Sequence, residues 1–380
     1  MGKGWPSAGG VRRRVCPHRL SDVDRARCAS TFAAPSTLTV ETALLCTRDR
    51  PGCHTAGLTA ALLILLSGLA PTQAQDRAAG PWWPHSLWGA EDQAGGSNWI
   101  TPEVVLRAAQ LVQTGKVYEL GHVYEQGMPL FGQRTYSLTI PGSPTGGPVG
   151  SNQVVWHDEF VCGEIGQIGT QFDGPGHIGT RMRMADGSDQ EIFYNGFPLT
   201  EVAGTYGLQK LGIEHVKPIF TRGILIDIAT AKGVEVLEHG YEVTVADVRA
   251  ALHKQGMAEA DLLPGDAIFF RYGWSTYWKQ PEIFNTDPPG IGLEVAAWVV
   301  ARQPSMIGSD QWATEVLPNP DATLAFPVHQ EIITKAGIWN LESMVYDGLV
   351  EDGVYEFLFI NTPIPFKGAT GSPARPIAIR

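Results

Sequence analysis

Cysteine is scarce in most of this chain. Four of the five cysteines lie within the first 75 residues, and the remaining part contains Cys162 alone. That part can therefore form no internal disulfide, and no Cys-x-x-Cys or Cys/His spacing indicates a zinc site. A single cysteine beside Val161 is expected to be a small buried apolar residue.

Positive charge is also scarce after residue 75. The whole chain has a formal charge of −11, and nine of its 28 Lys/Arg but only four of its 39 Asp/Glu fall within the first 75 residues. The rest of the chain therefore carries a formal charge near −16. Such a surface repels phosphate backbones, and no basic cluster offsets it, so nucleic acid is excluded as an expected partner.

The motifs of several common catalytic designs are missing. The sequence has no G-x-S-x-G nucleophile elbow, no G-x-x-x-x-G-K-[ST] phosphate loop and no H-E-x-x-H helix. A serine hydrolase, a nucleotide hydrolase and a zincin therefore lack a starting point.

No apolar run is long enough to cross a bilayer. The longest, Leu58–Leu69, follows Arg48 and Arg50 and is followed by small residues around Ala74. This pattern predicts a signal peptide within a leader of residues 1–75, with cleavage near Ala74, no stable membrane span in the mature form, and a secreted or periplasmic protein. A buried helix or a membrane anchor is the alternative. A start codon assigned too far upstream would explain the long basic segment before the run, and a misassigned leader would leave a cytoplasmic protein.

Residues 76–380 contain no linker, repeat or low-complexity segment, and we predict that they form one domain. Runs of β-branched and aromatic residues predict strands at 116–122, 153–161, 222–229, 266–273, 305–310 and 354–364. Apolar residues at helical spacing predict helices at 101–115, 244–256, 292–303 and 327–337. This alternation predicts an α/β fold, with a mixed β-sheet flanked by helices.

One stretch, GQIGTQFDGPGHIG at residues 166–179, carries polar side chains in very flexible backbone. If residues 165–173 are extended, Gln167, Gln171 and Asp173 point to one face of the strand, because side chains alternate with a period of two. The Gly-Pro-Gly that follows would turn His177 back toward the same space. The stretch therefore predicts a site that closes around a ligand; the alternative is an ordinary surface turn.

The same residues resemble a known signature. Gln167-Ile-Gly-Thr-Gln171-Phe-Asp173-Gly-Pro-Gly-His177 is similar to H-x-G-T-H-x-D-x-P-x-H of the cyclase and kynurenine formamidase family, metal-dependent hydrolases of amides, esters or lactones. Further segments in family order extend the resemblance over about residues 98–380. They include the stretches at 117–131, 262–278, 288–310, 327–344 and 368–379.

The resemblance implies a fold and a set of site residues. The fold would be a compact α/β unit of the swivelling β/β/α type. Asp173, His329 and Glu342 match metal ligands, His177 matches the group that transfers protons, and Phe131 matches an aromatic contact to substrate. The family also implies a homodimer or a homotetramer.

Both signature histidines of the family's other ion site are replaced, by Gln167 and Gln171. Glutamine offers an amide oxygen, which zinc favours less than nitrogen or sulfur and which manganese or magnesium accept readily. We therefore predict one divalent ion, manganese or zinc with magnesium as an alternative, on Asp173, His329 and Glu342, joined by Gln171. Gln167 is then expected to contact a small-molecule substrate.

The predicted function is a metal-dependent hydrolase or cyclase that acts on a small cyclic or aromatic amide, lactone or ester. Metal-activated water would be the nucleophile, with His177 as general acid and base. The alternative is a catalytically altered family member that binds a small molecule.

Overall fold

The most apolar segments of the sequence form buried strands. In the strand Ile219–Asp227, the side chains of Ile224, Leu225 and Ile226 are fully buried, and the strand Ala267–Arg271 is buried over its first four residues. Continuous apolar runs of this kind are typical of strands covered on both faces. The structure, a computed structural model, describes residues 77–380, so the leader and signal peptide predicted within residues 1–75 lie outside the described residues.

The strands of residues 77–380 are short, and most are two to six residues long. In chain order they are β1 Val117–Glu119, β2 Tyr136–Thr139, β3 Gly146–Val149, β4 Val154–Trp156, β5 Phe160–Gly163, β6 Gln171–Asp173, β7 Thr180–Arg183, β8 Asp189–Ile192, β9 Ile219–Asp227, β10 Glu242–Val243, β11 Ala267–Arg271, β12 Gly290–Ile291, β13 Met306–Ser309, β14 Trp339–Glu342, β15 Glu356–Asn361, β16 Gly371–Pro373 and β17 Ile377–Ile379.

The helices are also short. They are α1 Pro102–Ala109, α2 Leu199–Val202, α3 Ile228–Lys232, α4 Val245–Lys254, α5 Pro281–Phe284, α6 Leu293–Val300, α7 Pro327–His329 and α8 Asp347–Glu351, and α7 continues as a π-helix over Gln330–Lys335. The residues that predicted helix starts act as caps: Thr101 accepts a hydrogen bond from the Val104 N–H, and Thr244 forms a capping box with Asp247. Single-turn 3₁₀ helices occur at Gly95–Trp99, Tyr194–Gly196, Ile213–His215, Glu259–Asp261 and Trp274–Tyr277.

In this part of the chain, nine strands form one sheet in the order β1-β17-β15-β9-β11-β13-β14-β6-β16. The four strands β9, β11, β13 and β14 run parallel, and helices connect each to the next. Antiparallel strands extend the sheet on both sides, β15 beside β9 and β6 beside β14. The predicted α/β fold with a mixed sheet and flanking helices is confirmed. The described residues, 77–380, form one compact unit.

Residues 136–163 form an arm that consists of two antiparallel strand pairs, β2 with β5 and β3 with β4. The strand predicted at 153–161 is wrong in its extent: β4 and β5 are separate strands that pair with β3 and β2. Among the described residues no second layer packs on these strand pairs, so large apolar side chains of the arm are exposed, among them Val155 and Phe160. Cys162 lies on this arm and is exposed, so its predicted burial is also wrong.

The helices that the structure describes include none with both the length and the apolar character needed to span a membrane.

Candidate metal and catalytic site

The register of two neighbouring strands places four polar side chains together. Strand β6 pairs with β14 so that Asp173 lies opposite Asn340 and Gln171 lies opposite Glu342. Alternate residues of a strand share a face, so all four side chains lie on the same face of the sheet. All four are buried, and Asp173 and Asn340 are completely so.

The predicted extended segment of residues 165–173 is shorter in the structure. Only Gln171–Asp173 is a strand, because Gly169, with a φ of +63°, breaks the extended conformation two residues before it. Glycine adopts this left-handed conformation without strain, and a Cβ here would also collide with the Tyr124 ring. Gln171 and Asp173 therefore share a face as predicted, whereas Gln167 reaches the site from a turn.

The Gly-Pro-Gly turn after Asp173 brings His177 back, as the sequence predicts. The His177 N–H donates to the Gly174 carbonyl at 3.1 Å. The ring Nε2 of His177 lies 3.8 Å from Oδ1 of Asp173. Gly176 is required in this turn, because a Cβ there would lie 2.9 Å from the Leu211 carbonyl oxygen and closer still to Leu208.

His329 reaches the same carboxylate from the other side. It lies in α7, whose first residue is Pro327, a favourable helix start. Its Nε2 is 3.7 Å from Oδ2 of Asp173 and 3.2 Å from Oε1 of Glu342. The two histidine rings therefore flank Asp173, one at each carboxylate oxygen.

A network of buried hydrogen bonds orients these groups. Asn340 donates to Oδ2 of Asp173 at 3.2 Å and to Oε1 of Glu342 at 2.8 Å, and its own oxygen accepts from Thr314. Gln171 donates from Nε2 to Oε2 of Glu342 at 2.9 Å. These buried hydrogen bonds fix the positions of the side chains that make them.

The charges in this cluster shift one another's pKa values. Burial and the nearby charge of Asp173 raise the pKa of Glu342 to about 8. Burial acts in the same direction on Asp173, but the neighbouring His177 and His329 outweigh it and lower the pKa of Asp173. Burial likewise opposes protonation of His329, yet its bonds to Asp173, Glu315 and Glu342 raise the pKa of His329 well above its usual value.

His177 behaves differently. Burial lowers the pKa of its ring, and the attraction of Asp173 only partly compensates. A neutral imidazole beside an ionised carboxylate is able to accept a proton near neutral pH.

Orphaned polar atoms test whether a cation fits here. Oδ1 of Asp173 and both amide atoms of Gln167 are buried without a hydrogen-bond partner in the described part of the chain. Buried polar atoms are rarely left unpaired, and such atoms suggest a missing ion or ligand. Ligand atoms of Asp173, His177 and His329 lie within 4.8 Å of one another. A divalent cation therefore fits this donor set.

Two ligand sets share Asp173 and His329. The predicted set adds Glu342 and Gln171, whereas the most compact set in the structure adds His177. Both Glu342 oxygens already accept hydrogen bonds, while Oδ1 of Asp173, facing His177, accepts none. His177 therefore has two candidate roles, the predicted proton transfer and metal coordination. The metal content of variants distinguishes them.

A small cavity of about 130 Å³ opens over these groups. Its floor is polar, and aromatic side chains form its wall: the Phe131 and Trp312 rings stack with centroids 3.9 Å apart, and Phe326 packs against Trp312. An engineered cavity of roughly 150 Å³ holds a benzene molecule. The cavity therefore suits a ligand of about one ring.

The structure brings the seven predicted site residues to one place. Asp173 lies within reach of both histidines, and the other six line the cavity: Phe131, Gln167, Gln171, His177, His329 and Glu342. Their individual roles stay predictions.

Several residues of the site were not predicted. Arg134, Trp312 and Phe326 line the cavity, Glu315 orients His329, and Asn340 orients Asp173. The sequence held one signal for Trp312 and Glu315, because they follow the predicted strand 305–310, and ligands of α/β sheets gather at such strand ends. Nothing local distinguished Arg134 or Asn340.

Larger cavities lie elsewhere on the body. One of about 540 Å³ is lined by Trp82, Trp88 and Trp99. No cluster of metal-ligating side chains adjoins it among the described residues, since the one such group found is Asp173, His177 and His329. Size alone therefore does not identify the site, and the chemistry favours the small cavity.

Known proteins resemble much of this chain. The model of a family described as "Putative cyclase" matches residues 118–316. The chain is 30% identical to a protein whose crystal structure is described as a novel cyclase, with a TM-score of 0.67 over 77% of this chain and 98% of that chain. None of the curated protein sequences compared with the chain matches it.

More distant structures share the fold. Isatin hydrolase A from Ralstonia solanacearum has 18% identity and a TM-score of 0.53, over 74% of this chain and 98% of that chain. Isatin hydrolase A from Labrenzia aggregata has 16% identity and a TM-score of 0.51, over 71% of this chain and 94% of that chain. At these identities the likeness concerns the fold alone.

Proposed function

The chain belongs to the cyclase family, and we propose that it is a metal-dependent hydrolase of a small cyclic or aromatic amide, lactone or ester. The observation that carries this proposal is the unpaired, buried Oδ1 of Asp173, 3.8 Å from Nε2 of His177 beneath a cavity of ring size. This arrangement supports a cation bound by Asp173 and a general base, His177, next to each other.

Asp173 and His329 would hold one divalent ion, with Glu342 and Gln171 completing the set. A bound ion of this kind lowers the pKa of water toward neutrality and polarises a carbonyl group. Imidazole and carboxylate donors together suit manganese or zinc, and the amide oxygen of Gln171 is also compatible with magnesium.

The residues of the chain would supply the remaining steps. The Phe131 and Trp312 rings would bind the apolar part of the substrate and exclude water from it. His177, neutral because of burial, would take a proton at Nε2 from the attacking water and return it to the leaving nitrogen or oxygen. Asp173 would stabilise the imidazolium that forms, since its carboxylate lies beside that nitrogen.

A direct assay tests the proposal. Purified protein is stripped of metal, reloaded separately with manganese, zinc or magnesium, and offered N-formylkynurenine, isatin and simple lactones. Hydrolysis of at least one substrate that depends on the added ion is expected. No turnover with any combination would reject the hydrolase.

A second reading, a small-molecule binding protein, is favoured by Gln167 and Gln171 at the two histidine positions of the signature. The amide of Gln171 is committed to Glu342, which supports a rearranged site. Binding of a ring-sized ligand with no turnover under any metal would favour this reading.

We also propose self-association and export. The exposed apolar side chains of the arm at 136–163 support a homodimer or a homotetramer, because contiguous exposed apolar surface marks interaction sites. Light scattering of the purified protein measures the number of chains in the assembly, and a monomer would contradict the proposal.

We propose that the protein is secreted, with cleavage near Ala74. The N-terminal sequence of the exported protein tests this proposal, and an intact leader would contradict it.

A further inference from the structure

Arg134 is the cation of this cavity that has no ion-pair partner among residues 77–380. Among residues 77–380, every other arginine makes at least one salt bridge or side-chain hydrogen bond. The Arg134 guanidinium makes neither; only its backbone N–H is bonded, to the Phe131 carbonyl. It lines the cavity with its guanidinium carbon 5.6 Å from the centre of the Phe131 ring.

Arg134 is not needed to neutralise the carboxylates of Asp173, Glu315 and Glu342 at the floor of the cavity. His329 already lies between Asp173, Glu315 and Glu342, with a ring nitrogen within 4.0 Å of a carboxylate oxygen of each. Arg134 approaches none of these carboxylates within 4.0 Å, although its charge is near enough to oppose slightly the raised pKa of Glu342 and to add slightly to the effect of burial in lowering the pKa of His177. Its five N–H donors therefore remain available to a bound ligand.

A guanidinium with available donors recognises planar oxyanions. Arginine binds a carboxylate with two parallel hydrogen bonds, a geometry that a lysine cannot reproduce. The amide of Gln167, buried and without a partner, lines the same cavity and offers one more donor and one more acceptor. The negative floor disfavours a dianion such as a phosphate monoester more than a singly charged carboxylate.

From this geometry we infer that the substrate carries a carboxylate on its ring, beside the bond that is hydrolysed, and that Arg134 binds it. This inference rests on the proposed function and narrows its substrate class. Arg134 is then a specificity-determining residue, while the reacting bond lies over Asp173 and His177.

A binding experiment tests the inference without turnover. Benzoate and its neutral analogue benzamide are titrated into the wild type and the Arg134→Gln and Arg134→Lys variants by calorimetry, with and without added manganese. Arg134→Gln is expected to lower the ratio of benzoate to benzamide affinity by about 10- to 100-fold, because charge-assisted hydrogen bonds are lost. The affinity ratio of Arg134→Lys should lie between those of the wild type and Arg134→Gln. Arg183→Gln, which removes an exposed arginine paired with Asp189 outside the cavity, is the matched control.

Two results would overturn the inference. An unchanged ratio in Arg134→Gln means that no carboxylate is bound there. Equal weakening of both ligands means that Arg134 only maintains the cavity.

A kinetic experiment separates this inference from the proposed function. The wild type is expected to hydrolyse N-formylanthranilate with at least about 10-fold higher kcat/KM than formanilide, and Arg134→Gln to lose that preference. If formanilide is hydrolysed equally well, the carboxylate inference falls and the hydrolase stands. If neither is hydrolysed and the substrates of the direct assay are not hydrolysed either, the hydrolase proposal fails, and the benzoate titration still decides the role of Arg134.

Discussion

Oε1 of Glu315 lies 2.5 Å from Nδ1 of His329 and also accepts the His329 backbone N–H at 3.1 Å. This contact places a proton on Nδ1 and turns Nε2 toward Asp173 and Glu342. A carboxylate behind a histidine ligand in this way fixes the ring and its tautomer and raises its basicity as a donor.

Replacement of Glu315 by glutamine should therefore weaken metal binding. The expected loss of affinity is about 10- to 100-fold, measured by competition with a chromogenic chelator. Glu331→Gln, which alters the exposed pair with Lys335 on the same helical segment, is the control. A Glu315→Gln protein that melts earlier without its metal yet binds the ion as tightly as the wild type would show a purely structural role.

Variants of Asp173 and His177 should separate metal binding from proton transfer. His177→Ala is expected to keep its ion and to lose about 10²- to 10⁴-fold in kcat, the usual contribution of a general acid or base. Asp173→Ala should lose both ion and turnover. Metal content and kcat are measured on the same samples. Loss of the ion in His177→Ala would instead make His177 a ligand, and a near-normal rate would exclude it from the reaction.

The two glutamines of the signature should set the number of ions. Wild-type protein is expected to bind one divalent ion per chain. In the Gln167→His/Gln171→His variant we expect a second zinc, because imidazole nitrogen is a better zinc ligand than an amide oxygen. Mass spectrometry of the native protein and elemental analysis count the ions. A Gln167→Asn/Gln171→Asn protein is the control, and two tightly bound zincs in the wild type would refute the prediction.

The Phe131 ring should contribute to substrate affinity. Phe131 is 38% exposed and stacks on Trp312 at the cavity wall. Aromatic pairs contribute about 0.5–1.5 kcal/mol beyond burial, so Phe131→Ala should raise KM for an aromatic substrate by about 2- to 10-fold. Phe131→Leu, which keeps apolar bulk and lacks the ring, should fall between. An unchanged KM in Phe131→Ala would place the ring outside the substrate contact.

His122 should make the protein less stable in acid. Its ring stacks on Trp278 with centroids 3.9 Å apart and has a buried Nε2 without a partner in the described residues. Burial and, to a lesser extent, the charge of Lys279 lower its pKa to about 4 from the ordinary 6.5. A depressed folded-state pKa gives stability that is present above pH 6.5 and is lost as the pH falls through 4.

The loss should reach about 2 kcal/mol, after allowance for the partial exposure of the ring. The test compares the free energy of unfolding of the wild type with that of His122→Phe, which keeps an aromatic stack and cannot titrate. Other titrating groups cancel in this difference. The wild type should lose stability relative to the variant as the pH falls from 7 to 4, and a constant difference would contradict the assignment.

Local sequence patterns were sufficient for several of the main strands and helices and for part of the candidate site. The β-branched runs of β9, β11 and β13 and the threonine caps of α1 and α4 specify their own structure over a few residues, so they were recognisable before folding. Asp173 and His177 were also recognisable, because a four-residue turn containing glycine and proline brings them together. The exposure of the arm was not recognisable, because its strands contain the apolar residues that are typical of buried strands.

The sequence by itself determined the α/β class and the family, and it predicted seven candidate residues for the site, because these depend on short motifs and on their order along the chain. Only the tertiary structure decided that Gln171 bonds to Glu342, 171 residues away, that Glu315 orients His329, and that Arg134 has no ion-pair partner in the described part of the chain. Such contacts follow from the register of β6 against β14 and from the packing of the whole sheet, which no local segment encodes.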